Sequence, residues 1–168
     1  MPDPVELLTV ARLLAAAGAS PPPSDAQLRR AVSTAYYALF HSVLRAGAQR
    51  FMGSGTEAQP GYGLIYRGFS HGRMKAVCES LNVPALNRNL QQQFGRTAVS
   101  QDMRDFASLF LELQSARNRA DYDPQAVFLH SDAIGFVSEA AEAMAAFDRT
   151  TAEEQADVLA LMLVTSRA

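Results

Sequence analysis

Apolar residues recur along this chain at three- and four-residue spacings, the period of a helix face, and no stretch keeps the two-residue alternation of a strand. The longest such pattern runs from about Asp25 to Phe51. There Leu28, Val32, Ala35, Tyr36, Leu39 and Val43 make one apolar stripe, and Ser24 with Gln27 has the spacing of a capping box ahead of it. A second stripe on the same helix is polar: Arg30, Thr34, Tyr37, His41 and Arg45. It predicts a groove edged with hydrogen-bonding and charged groups. Phe106, Leu109, Phe110, Leu113, Ala116 and Ala120 form the core face of another long helix. Ser100 caps it, and Asp123-Pro124 ends it, because a residue before proline disfavours helical geometry. An extended link, Gln125 to His130, leads to a helix starting near Ser131 that uses Ile134, Val137, Ala141, Met144 and Phe147.

Shorter elements fill the rest. Asp3 as cap, Pro4 at the first helical position and Glu6 completing a capping box predict a first helix through Leu7, Val10, Ala11 and Leu14 to about Gly18. Pro21-Pro22-Pro23 then forces an extended connection. A helix over His71–Leu81 turns Met74, Val77, Cys78 and Leu81 inward, and Thr151 with Glu154 makes a box for a last helix over about 152–166. Residues 53–72 hold six of the ten glycines and read as a loop with at most a short helical turn; its Tyr62, Tyr66 and Arg67 would stack on bases if it folds over a groove. Residues 82–100 read as irregular or weakly helical. The whole predicts one all-α domain over residues 1–168, an antiparallel four-helix up-and-down bundle with additional short helices and a core within about 25–149. Val158 to Val164 is apolar on every side, so it is expected under a second subunit of a homodimer or tucked into its own bundle.

Composition narrows the function. With 48% hydrophobic and 19% charged residues, the 168-residue chain is globular rather than disordered. Its net charge of −2 supplies no bulk field for nucleic acid, so any such contact needs a local patch. Lys75 is the only lysine, and arginine carries nearly all the positive charge. The single cysteine, Cys78, excludes an internal disulfide or a multi-cysteine metal site and fits a reducing cytoplasm. The three histidines lack metal-ligand spacing, and the Gly61–Gly68 glycines match neither a dinucleotide fingerprint nor a phosphate loop. Neither a metal nor a cofactor is expected. No uncharged apolar stretch is long enough to predict a membrane span, and Asp3, Glu6 and Arg12 break any secretory pattern at the start.

The candidate chemistry lies on the two long helices. Arg117 and Asp121 are one turn apart; the plain reading is an intrahelical ion pair, the sharper one an arginine at a groove rim that binds phosphate. Tyr36 belongs to the core stripe. Tyr37 and His41 are four apart on the polar stripe, as structural hydrogen-bonding residues or as a site. Arg29 and Arg30 read as solvated surface charges. His71 and His130 are too isolated in sequence to be given a role.

The run Ala35-Tyr36-Tyr37-Ala38-Leu39-Phe40-His41 resembles the first signature helix of the HEPN family, and Arg117-Asn118-Arg119-Ala120-Asp121-Tyr122 resembles the second. The resemblance implies a small helical domain that associates with RNA or nucleotides, works as a homodimer and serves a toxin–antitoxin or defence setting with an antitoxin protein as partner. Nuclease members place a histidine a few residues after the arginine, and facing copies form a metal-independent endoribonuclease site. Here Tyr122, Asp123 and Pro124 fill the positions where that histidine would fall. A phenol, which ordinarily ionises only at about pH 10, is a poor base at neutrality. The resemblance therefore implies a binding module without strong nuclease activity, with Arg117, Asn118, Arg119, Tyr37 and Asp121 around the phosphate. An active endoribonuclease, with Arg117 stabilising the phosphorane and Tyr122 or His41 replacing the histidine, is the competing expectation. A non-catalytic dimerisation scaffold is the third.

Overall fold

The computed structural model describes residues 1–16 and 22–164. Among them every regular element is a helix and there is no strand: α1 Pro4–Leu14, α2 Asp25–Met52, α3 Pro60–Gly68, α4 His71–Leu81, α5 Arg88–Phe94, α6 Gln101–Tyr122, α7 His130–Arg149 and α8 Ala152–Leu163. The expected end of the first helix at Gly18, Pro21 of the proline run and the expected end at Ser166 lie outside the described residues.

Helix α2 is the axis of the molecule. It packs against α1, α3, α6, α7 and α8, while α6 also packs against α4 and α7. Its capping box is complete, with Ser24 and Gln27 each bonded to the other's backbone. Every residue of its expected apolar stripe is buried, as are Ala31, Ala38 and Leu44 beside it. Coverage from several sides explains why the buried surface is wider than one stripe. On α6, Ser100 caps by accepting from the Met103 amide at 3.1 Å, and Phe106, Phe110 and Leu113 are fully buried.

Two expected caps differ in detail. Asp3 accepts from the Val5 amide at 2.8 Å. Thr151 accepts from the Glu154 amide, but the Glu154 carboxylate does not return to the cap. It reaches across to α6 and accepts from Ser100 N at 2.7 Å and Ser100 Oγ at 2.6 Å. Glu154 is buried, so this bridge fastens the start of α8 to the start of α6. The apolar run of α8 is largely accounted for inside the chain: Val158, Leu159 and Met162 are buried and Leu161 and Leu163 pack on the core. It no longer calls for a second subunit by itself.

The glycine-rich segment is more ordered than a loop. Pro60 opens α3, and Tyr62 and Tyr66, one turn apart, are buried. Three glycines in nine residues make a poor helix former, so α3 is held by packing on α2 rather than by propensity. Between 82 and 100, Asn87 caps α5 and Gly95, at φ 64°, ends it. Helix α7 starts at His130, one residue before the expected position.

Gly47 is where α2 lets the α3–α4 connection approach. A Cβ there would sit within 2.6 Å of Phe69 Cε2, and Phe69 is itself buried. Gly47→Ala is therefore expected to lower stability by about 1–3 kcal/mol despite alanine's better helix propensity. Thermal unfolding of the variant checks this, and an unchanged or higher Tm would count against so tight a contact.

Candidate functional site

The polar stripe of α2 faces α6 on one side and the α3–α4 connection on the other. Arg117 of α6 bridges it. One of its terminal nitrogens donates to the Tyr37 hydroxyl, and the other donates to Asn118 Oδ1 at 3.0 Å. Its Nε lies 2.8 Å from Asp121 Oδ2, an ion pair whose alignment is too poor for a hydrogen bond. The guanidinium also sits over aromatic rings, 5.2 Å from the centre of Tyr37 and 5.3 Å from that of Tyr122. The Arg117 side chain is only 14% exposed, whereas Tyr122 is 72% exposed. The plain ion-pair reading is thus present, and the groove-rim arginine is present with it.

Behind Arg117 the structure assembles two of the three imidazoles, those of His41 and His71. Tyr37 stacks toward His41 at 6.2 Å between centres and meets His71 edge-on at 5.9 Å. His71, the first residue of α4, lies flat on Phe40 at 3.9 Å, and its Nδ1 is 2.7 Å from the Tyr36 hydroxyl. His41 Nδ1 is likewise 2.7 Å from the Tyr66 hydroxyl. Sequence spacing gave no sign that His71 belonged here, since its neighbours come from α2 and α6. Tyr66, expected on a surface loop and at bases only if that loop closed over a groove, is buried and holds His41 instead, and Tyr62 is buried beside it.

Burial sets the protonation states. It pushes the Tyr36 phenol far up, so Tyr36 stays a neutral donor. As a neutral phenol, Tyr36 gives its proton to His71 Nδ1, 2.7 Å away. His71 is held below the usual imidazole range by burial first and then by Arg117 and His41. His41 is lowered chiefly by burial. Both rings are therefore neutral near pH 7, and His71 is assigned the tautomer with its proton on Nε2. That nitrogen is a donor, suited to holding an oxygen rather than removing a proton.

Arg29 is not a solvated charge. Its guanidinium donates to the main-chain oxygens of Ala120 at 3.2 Å, of Asp123 at 2.8 Å, and of Ala126. Asp25 pairs with its Nε at 2.8 Å. A cation here satisfies carbonyls left over at the end of α6 and suits the negative end of that helix. It fixes the turn that carries Asp121 and Tyr122. Asn118 and Arg119 are exposed on the same turn, and Arg119 lies over the Phe128 ring at 5.5 Å. His130 is elsewhere, its Nε2 3.0 Å from the Ala15 carbonyl. Among the described residues no group of three His, Cys, Asp or Glu side chains could hold a metal ion, and no helix is long and apolar enough to cross a membrane.

No family model matches the chain, and no curated protein or solved structure matches it. The two signature-like segments and the geometry they adopt thus carry the functional argument alone.

Two outcomes follow. Arg29→Met is expected to cost about 1–3 kcal/mol and to speed amide exchange over residues 120–126, since buried or partly buried carbonyls lose a charged donor; exchange confined to other segments would contradict that role. Protonation gives the second. The unfolded chain takes up imidazole protons near the ordinary histidine range, whereas folded His41 and His71 do so only at lower pH. Their stabilisation is thus present above about pH 6.5 and lost as pH falls through the depressed folded values. Glu139 and Asp148, raised chiefly by burial, act in the opposite sense. The comparison is therefore wild type against the His41→Gln/His71→Gln double variant between pH 7.5 and 5. The wild type should lose more of its Tm on acidification, and parallel curves would refute the assignment.

Proposed function

We propose that this chain is a HEPN-like helical module that binds RNA or a nucleotide without strong nuclease activity, acting in the cytoplasm as a homodimer. The observation that supports it best is the Arg117 guanidinium held between Tyr37 and the largely exposed ring of Tyr122, with Asn118 and Arg119 on the same turn. Arginine, an amide and an open aromatic face together suit phosphate and base recognition of a single strand. The neutral, tyrosine-bonded imidazoles behind it favour hydrogen-bond donation to a sugar or phosphate oxygen over proton abstraction. Asp121 offsets part of the local charge. Affinity then depends on Arg119 and on how far an incoming phosphate draws Arg117 from Asp121. The toxin–antitoxin setting and an antitoxin partner remain implications of the resemblance.

A second reading, a metal-independent endoribonuclease, has one observation in its favour. Tyr37, which holds Arg117, touches both His41 and His71, so imidazole is present near the arginine although the second motif lacks it. His71 would then be the acid–base group in place of Tyr122 or His41.

One experiment separates the two. Purified wild type is mixed with a labelled single-stranded RNA pool in EDTA, and both anisotropy and strand length are read across a salt series. Binding that weakens with salt, with no cleavage, is expected. Arg119→Ala should weaken it at unchanged Tm and lower the salt slope by about 0.7, the loss of one phosphate contact on a single strand. Arg117→Ala should weaken binding and also lower Tm, because Tyr37 and Asp121 lose their partner. Cleavage that disappears in His71→Gln would replace this reading with the nuclease, and absence of both binding and cleavage would sink it. Sedimentation of the wild type tests the dimer.

A further inference from the structure

A cleft of about 360 Å³ opens between α4 and α6, and its lining includes Lys75, Gln114, Asn118, Arg119, Tyr122 and Asp123. It carries the chain's only lysine, an arginine, an exposed phenol ring and two side-chain amides. Gln114 is the unusual member. It is 7% exposed, and its Nε2 donates to the His71 main-chain carbonyl at 3.0 Å. That bond fixes which end of the amide is which, because a flip would set two oxygens against each other. Its Oε1 is left buried with no donor among the described residues. An unpaired buried acceptor is costly, and a site that supplies its donor from a ligand relieves that cost.

The cations are available. Lys75 pairs only loosely with Glu79, 3.5 Å away with both side chains more than half exposed, an interaction a phosphate displaces readily. Asp123 is the carboxylate among these lining residues, and its Oδ1 is occupied by the Gln125 amide at 2.9 Å. The volume is at the small end for ligand sites and suits one nucleotide unit rather than two.

Resting on the RNA- or nucleotide-binding reading above, we infer that this cleft takes a single nucleoside phosphate bearing an amino group on its base. Lys75 and Arg119 hold the phosphate, Tyr122 stacks on the base, and Gln114 Oε1 accepts from the exocyclic amine. Cytosine and uracil separate this role, since cytosine presents an amine where uracil presents an oxygen that would oppose Oε1. The same chemistry is offered by a free nucleotide and by a residue within an RNA strand.

The test titrates wild type, Lys75→Ala and Tyr122→Ala with CMP, UMP, oligo(C) and oligo(U), following heat for the nucleotides and anisotropy for the strands. Cytosine ligands are expected to bind about two- to tenfold tighter than uracil ligands, the value of one hydrogen bond. Tyr122→Ala should weaken them about five- to a hundredfold, the value of a lost base stack, and Lys75→Ala should weaken them and flatten the salt dependence. Both substituted positions are exposed, so Tm serves as the folding control. Binding of CMP points to a free nucleotide, and binding of oligo(C) alone points to a strand; either supports the cleft. Equal affinity for cytosine and uracil, or wild-type affinity in both variants, overturns this inference while leaving the broader reading standing. No binding of any of the four ligands by folded wild type overturns both.

Discussion

Helix α2 is 28 residues long and is packed by α1, α3, α6, α7 and α8, so its hydrogen-bonding side chains as well as its apolar ones are drawn inside the molecule. Tyr36 is fully buried, and Tyr37 and His41 are half-buried. Buried or half-buried polar groups must find partners. They find them on three different elements: His71 at the start of α4, Tyr66 on α3 and Arg117 on α6. The candidate site is the set of groups that satisfies this helix. Its position follows from the packing of α2, and its chemistry from the polar residues that α2 carries into the seam.

Charge is arranged to keep that seam tolerable. Arg117 brings a cation into the seam, where it is paired with Asp121 on its own helix and steadied by Tyr37 across the seam. The histidines beside it stay neutral: burial lowers both, and at His71 the arginine also opposes a second positive charge. The proposed recognition of a phosphate and base rests on this arrangement: one partly compensated cation, neutral imidazoles behind it and an aromatic ring in front. Arg29 contributes at one remove: by gathering the carbonyls at the end of α6 it sets the turn on which Asp121 and Tyr122 stand.

The periodic elements were readable because period and caps are local. The core stripes of α2 and α6, the Ser24 and Ser100 caps, the inward face Met74–Leu81 and the stop at Asp123-Pro124 all depend on residues within a few positions of one another. Helix α3 was hidden because its glycines argue against a helix, and the Tyr62–Tyr66 spacing that marks its buried side is a short signal. Glu154 has the spacing of a capping box yet is drawn away to Ser100, because a buried carboxylate takes the two donors offered across the helix junction. Arg29 looked solvated for the same reason: carbonyls 91 to 97 residues away leave no trace in its neighbourhood.

By itself, then, the sequence determined the helical class, most helix boundaries and the Arg117–Asp121 pair, since these follow from spacings of a few residues along one helix. It also marked Tyr37 and His41 as a polar stripe. Only the tertiary structure decided which groups meet that stripe. His71 and Tyr66 approach Tyr36 and His41 because Gly47 lets Phe69 lie against α2 and brings the α3–α4 connection close. Gln114 is left with an unpaired oxygen because its nitrogen is taken by a main-chain carbonyl of another helix. Contacts of this kind join residues far apart in the chain, and no local period encodes them.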